Sequence, residues 1–299
     1  MNPAFAAPGA SSRVRRILDL TIVRIVLALF TTALAGGLTQ ACVSGLTHGR
    51  WHDGWPDACG ALAALAGYAL YVRLVERRPV VELGGRGALA EIAAGLAGGA
   101  ALVGAVVGGL ALVSVYRIDG ANAVGSGLAT GFAQMLFVGV LEELLMRVVL
   151  FRLLERSLGS WAALVISSAL FGLAHLPGNG VGTLAVAVAV AAGVLLGAAW
   201  LATRRLWLCA ALHVGWNFTL SDVFPVAVPG HERTVGLVEG HLLGPDWLTG
   251  GACGLEASAI ALVVLAAAGA WLLSHAMARR RLVAWGARRA CATRLVAVR

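Results

Sequence analysis

The chain has 299 residues, 59% of them hydrophobic, with a mean hydropathy of +0.84. Apolar stretches of roughly 18 residues or more recur along it, the length that crosses ~30 Å of hydrocarbon, and this excludes an ordinary soluble domain. All 23 basic residues are arginine, giving a formal charge of +8 against 15 acidic residues; they sit mostly between apolar segments with no interleaved aromatics, so no nucleic-acid partner is indicated.

Breaks at charges, prolines and glycine clusters predict an all-α, polytopic bundle of about eight membrane helices, at 21–43, 56–75, 88–115, 124–154, 160–176, 182–203, 206–224 and 251–276. Helices are expected because each satisfies its own backbone polar groups inside lipid. Glycine-rich runs such as G-L-A-G-G-A-A-L-V-G-A-V-V-G-G in the third suit close helix packing. The chain divides into the first three helices (1–123), a core of helices four to seven (124–224), and an outer loop, last helix and Arg-rich tail (225–299). No internal repeat and no soluble domain is evident.

The first helix follows Arg13, Arg15 and Arg16 and carries Arg24 in its first turn. A-L-A at 33–35 resembles a signal-peptide cleavage site, but the apolar run continues to Val43, so an uncleaved helix is expected. Arg73, Arg77, Arg78 and Arg86 mark the end of the second helix, Arg152 and Arg156 that of the fourth, Arg204 and Arg205 that of the sixth, and seven arginines from Arg279 onward follow the last. The intervening connections hold only Arg50, Arg117 and Arg233. Positive charge thus alternates with each crossing, which places both termini in the cytoplasm of a multi-pass protein of the inner (plasma) membrane. The cysteines Cys42, Cys59, Cys209, Cys253 and Cys291 have no C-x-x-C spacing and read as small apolar residues; only a Cys42–Cys59 pair flanks one outer loop.

Ionisable residues deep in a span are functional hypotheses by default. The fourth helix holds Glu142, Glu143 and Arg147 in L-E-E-L-L-M-R; the fifth ends F-G-L-A-H-L-P with Phe171 and His175; the seventh reads C-A-A-L-H-V-G-W-N-F with His213 and Asn217. Glu91, Asp222 and Glu256 fall near helix ends, where reaching the interface accounts for them. Glu143 and Arg147 are i,i+4 and can pair, whereas Glu142 lies about 100° away on a neighbouring face without a local partner. His213 and Asn217 also share a face, and Phe171 is placed to buttress His175.

A turn near Gly159 and Ser160 would put Glu142 and His175 both ~24–26 Å from it, at one depth. His213 joins them if that hairpin extends about two turns beyond the membrane, with Arg152 and Arg156 solvated on the extension. A carboxylate, two imidazoles and a carboxamide then converge. They supply what water-driven amide hydrolysis needs: Glu142 with His175 to activate water, His213 with Asn217 to stabilise an oxyanion.

These residues resemble the CAAX protease and bacteriocin-processing intramembrane proteases, which include type II CAAX prenyl endopeptidases and lysostaphin-resistance-A-like proteins. The signatures E-E-x-x-x-R, F-x-x-x-H and H-x-x-x-N/D stand here at 142–147, 171–175 and 213–217 in the family order, and R-P-V-V-E-L at 78–83 is similar to the family's entry to the helix before its core. The resemblance covers roughly residues 124–224 and implies an intramembrane endopeptidase with Glu142, His175, His213 and Asn217 catalytic and Glu143, Arg147 and Phe171 supporting. A metal-free, glutamate-type mechanism is favoured because Asn217 suits an oxyanion role. Zinc held by Glu142, His175 and His213 is the alternative. Expected substrates are membrane-embedded or lipid-anchored peptides and proteins, including leader-bearing bacteriocins, and the Arg-without-Lys composition suggests a bacterial source. A proton-coupled transporter and a non-proteolytic scaffold or immunity protein are the rival readings.

Overall fold

The computed structural model describes residues 20–47, 54–123, 125, 127–176, 181–226 and 236–285. Arg13, Arg15, Arg16, Arg50, His231, Arg233, Cys291 and the tail arginines from Arg288 onward lie outside the described residues, as does the 177–180 turn.

The fold is all-α in its main elements: α1 (Thr21–Leu46), α2 (Trp55–Tyr71), α3 (Ala88–Leu112), α4 (Gly127–Glu143), α5 (Arg152–Ala174), α6 (Thr183–Thr203), α7 (Leu206–Phe218) and α8 (Ala259–Ala278). Among the described residues five helical segments are long and apolar enough to cross a membrane: Thr21–Leu46, Trp55–Glu76, Ala88–Leu112, Thr183–Thr203 and Gly251–Ala278. On α1 the exposed Ile22, Val26, Phe30, Leu34 and Leu38 make an apolar outer stripe at helical spacing, a face suited to lipid rather than water. The protein is a multi-pass membrane protein.

Within the core, α4 passes directly into a π-helix over Leu144–Phe151 and then into α5. Gly159 breaks α5 with φ 81° and ψ 171°, a backbone that glycine adopts without a Cβ penalty, so the turn falls where the sequence places it. The chain returns antiparallel, α5 packs on α6, α6 on α8, and α7 lies between α3 and α4. The α3–α7 approach depends on small residues. A Cβ on Gly99 would collide with the Leu212 carbonyl and the Trp216 amide, and one on Gly215 would meet the Leu96 backbone.

Several expectations change. The third helix stops at Leu112, and Ser114 at φ 59° turns the chain into β1 (Tyr116–Ala121). That strand pairs antiparallel with β2 (Val238–Leu242), with Tyr116 opposite Leu242 and a shift in register between Ile118 and Gly120. Cys42 and Cys59 are free thiols, so no disulfide closes the first outer loop.

Arg152 is not solvated. It is buried, its guanidinium donating to both oxygens of Glu76 at 3.0 and 2.6 Å and lying 3.5 Å from Glu82. Arg78 closes the cluster against Glu76 and Glu82 and reaches the Tyr68 hydroxyl. Burial alone would push the Arg78 pKa down, but the bonds to Glu82 and Glu76 raise it above its ordinary range. The carboxylates for this cluster come from the end of the second helical segment and from the R-P-V-V-E-L segment, which anchor the π-helix end of the core. Arg156 is partly exposed and sits 3.9 Å from Glu76.

A topology of eight crossings with both termini cytoplasmic predicts how reporter fusions behave. Fusions at Arg50, Arg117 and His231 should read outside, and those at Arg78, Arg156 and Arg204 inside. A fusion at the C-terminus reading outside would refute that count.

Candidate active site

The motif residues reach one place from three elements. Glu142 comes from the end of α4, His175 from the C-terminal cap of α5, and His213 and Asn217 from consecutive turns of α7. All four line a single cavity of about 550 Å³, together with Phe171, Trp216 and a wall of Leu, Val and Ala from α6. The cavity has the character of a ligand site: largely apolar, with a few convergent polar groups.

Glu142 and Glu143 are adjacent in sequence and opposite in environment. Glu142 opens to the cavity, its carboxylate 4.0 Å from His213 Nε2. Glu143 is fully buried, and one of its oxygens accepts from Arg147 at 2.7 Å and from His213 Nδ1 at 2.9 Å. A carboxylate paired with an arginine is ionised and accepts only, so Nδ1 of His213 carries the hydrogen and Nε2 is turned to the cavity. His175 is oriented in the same sense by a different group: its Nδ1 donates to the Phe171 carbonyl at 2.7 Å, leaving Nε2 free.

Phe171 is the centre around which these groups are arranged. Its ring lies 4.9 Å from the His175 ring and 5.8 Å, edge-on, from the His213 ring. The Arg147 guanidinium sits 4.6 Å over its centroid, a cation–π contact. Arg147 also donates to the Gly193 carbonyl on α6 at 3.3 Å. Phe171 therefore buttresses both imidazoles, where the sequence anticipates only His175.

Zinc held by Glu142, His175 and His213 is the alternative that the sequence leaves open. Zinc requires each donor at about 2.0–2.2 Å, and among the described residues no group of three or more His, Cys, Asp or Glu side chains is arranged to hold a metal ion.

Two acidic residues do more than their spacing shows. Glu143 is more than a partner for Arg147, because it also fixes His213; the signal is the depth match between α4 and α7, which places His213 opposite either glutamate. Glu256, expected at the interface, lines the same cavity from the 3-10 turn Gly251–Ala257 that leads into α8. Glu91 and Asp222 stay out of the lining. Glu91 pairs with Arg205, and Asp222 accepts from Ser221 at 2.6 Å.

The two glutamates should respond differently to substitution. Glu143→Gln strips the partner from buried Arg147, a loss of ~3–5 kcal/mol for a broken buried pair, and frees His213 as well. The expected result is a lower melting temperature together with lost activity. Adding Arg147→Gln should restore part of the stability but not the activity, because His213 still lacks its anchor. Recovery of both in the double variant would show that Glu143 serves packing alone.

No curated protein and no solved structure matches the chain. One protein-family model does, and its span contains all three motifs and every cavity residue they supply. Residues 123–219 match Type II CAAX prenyl endopeptidase Rce1-like, within the CAAX protease family that the motifs resemble.

Proposed function

We propose that the protein is an intramembrane endopeptidase that hydrolyses peptide bonds of membrane-associated peptides or proteins with a water activated by Glu142 and His175. The observation that supports this best is the meeting of Glu142, His175, His213 and Asn217 on one apolar cavity, with both imidazoles oriented through Nδ1 so that each presents Nε2 to it.

In this mechanism the Glu142 carboxylate takes a proton from water while His175 Nε2 accepts its second hydrogen bond. The hydroxide adds to the scissile carbonyl, and the oxyanion takes hydrogen bonds from the Asn217 amide and from His213 Nε2. Because His213 Nδ1 already donates to Glu143, a bond from Nε2 requires the doubly protonated ring, whose charge the Glu143 carboxylate offsets. Collapse of the tetrahedral intermediate breaks the C–N bond, and protonated Glu142 returns its proton to the leaving amine. This assignment uses no metal and no serine or cysteine nucleophile. The matched family's name makes a lipid-anchored prenyl peptide one substrate class, and other membrane-anchored peptides fit the same apolar cavity. A bacterial inner-membrane location accords with the arginine distribution.

Glu142→Gln keeps size and hydrogen-bonding capacity but removes the base. It should lower turnover by ~100-fold or more while leaving yield and melting temperature close to wild type. The variant should also trap uncleaved substrate, to be identified by mass spectrometry of co-purified peptides. Retained proteolysis in Glu142→Gln would sink the glutamate-base mechanism, and an unchanged cellular phenotype would favour a scaffold role.

A further inference from the structure

The cavity carries a second carboxylate outside the three motifs and outside the matched segment. Glu256 stands on the 3-10 turn before α8, and that turn is fixed on both sides. Gly254 adopts φ 69°, which favours glycine, and the fully buried Ser258 caps α8 by accepting from the Ala261 amide at 3.1 Å. The Glu256 side chain is exposed where the turn meets the cavity, whose lining it shares with Glu142 and His175.

The chemistry around it is one-sided. The cavity lining includes Glu142 and Glu256 but, among the described residues, no arginine. Its remaining walls are largely apolar, and no arginine of the lining offsets these carboxylates. The reacting groups come from α4, α5 and α7, whereas Glu256 comes from the lead-in to α8, which packs on α6. A peptide bond held between Glu142 and the α7 pair therefore presents its flanking residues, not its carbonyl, to Glu256.

We infer that Glu256 is a specificity-determining residue that pairs with a cationic group of the substrate beside the scissile bond, so that the preferred substrate is a membrane-associated peptide with a basic residue at that position. The inference rests on the endopeptidase reading of the same cavity. A charge-assisted hydrogen bond discriminates against an uncharged isostere, and a carboxylate-bearing flank is disfavoured by like charge.

The test uses the full chain in lipid nanodiscs and palmitoylated, internally quenched peptides in which one residue is Arg, citrulline or Glu, scanned across positions on both sides of the cleaved bond. Two readouts are taken: cleavage by wild type, and binding to the Glu142→Gln variant by fluorescence anisotropy. At one position, Arg should exceed citrulline by about tenfold or more in kcat/KM and in affinity. Glu256→Gln should bring both ratios to about one, Glu256→Asp should keep part of the preference, and Glu256→Arg should turn it toward the Glu peptide. An Arg-to-citrulline ratio near one in wild type overturns the inference. So does a uniform loss in Glu256→Gln with the ratio preserved, the outcome expected if Glu256 only positions His175. If wild type cleaves none of the peptides, the endopeptidase reading fails, and the anisotropy ratio with and without Glu256→Gln still decides this one.

Discussion

The site depends on one buried carboxylate, that of Glu143. Its single shared oxygen holds Arg147 on the same helix and His213 on α7, while Arg147 in turn reaches the Gly193 carbonyl of α6 and the face of Phe171 on α5. Four helices thereby meet at one charge cluster near the middle of the core. Buried ion pairs are weak contributors to net stability, since desolvation consumes most of the Coulomb gain. Their use here is geometric. Moving α4, α6 or α7 breaks a charged hydrogen bond in a place where water cannot replace it, and moving α5 breaks the cation–π contact.

That geometry explains why two adjacent glutamates part company. A rotation of about 100° per residue on a helix places neighbours on different faces. Here one face meets Arg147 and His213 and the other meets the cavity. The buried carboxylate fixes the imidazole, and the accessible one stays open to the cavity. Exchanging the two environments would leave the cavity carboxylate locked into an ion pair and the imidazole without orientation.

Much of this was legible in the residues. The i,i+4 spacings named the Glu143–Arg147 pair and the shared face of His213 and Asn217, and Gly159 marked the hairpin that brings Glu142 and His175 together. What escaped has a physical reason in each case. Tyr116–Ala121 is short, and only pairing with a strand more than a hundred residues away makes it one, so no local signal distinguishes it from a loop. Arg152 reads as an interfacial arginine unless Glu76 and Glu82 are known to fold over it, a long-range contact that helical periodicity does not encode. Glu256 sits at a helix end in sequence, and helix ends lie at the interface unless the preceding turn folds inward, as the Gly250 and Gly254 conformations here make it do.

The π-helix between the two charge clusters ties these observations together. Wide i→i+5 turns leave backbone groups without their usual partners, and such segments survive only where something else satisfies them. At the end of Leu144–Phe151 the Arg152 amide bonds to the Arg147 and Val149 carbonyls and bypasses Val148, whose α-helical partner it would have been. The side chain of the same arginine fills the gap, its Nε donating to the Val148 carbonyl at 2.8 Å while its other nitrogens hold Glu76. The segment is thus clamped at its start by Glu143–Arg147 and at its end by Arg152–Glu76. A π-turn between two fixed ends sets the angular offset between them. The residues that face the cavity from α4 and those that face the Glu76 cluster are held in a phase that an uninterrupted α-helix would not give. The ion cluster outside the cavity is in this sense part of the site, because it holds the far end of the helix that carries Glu142.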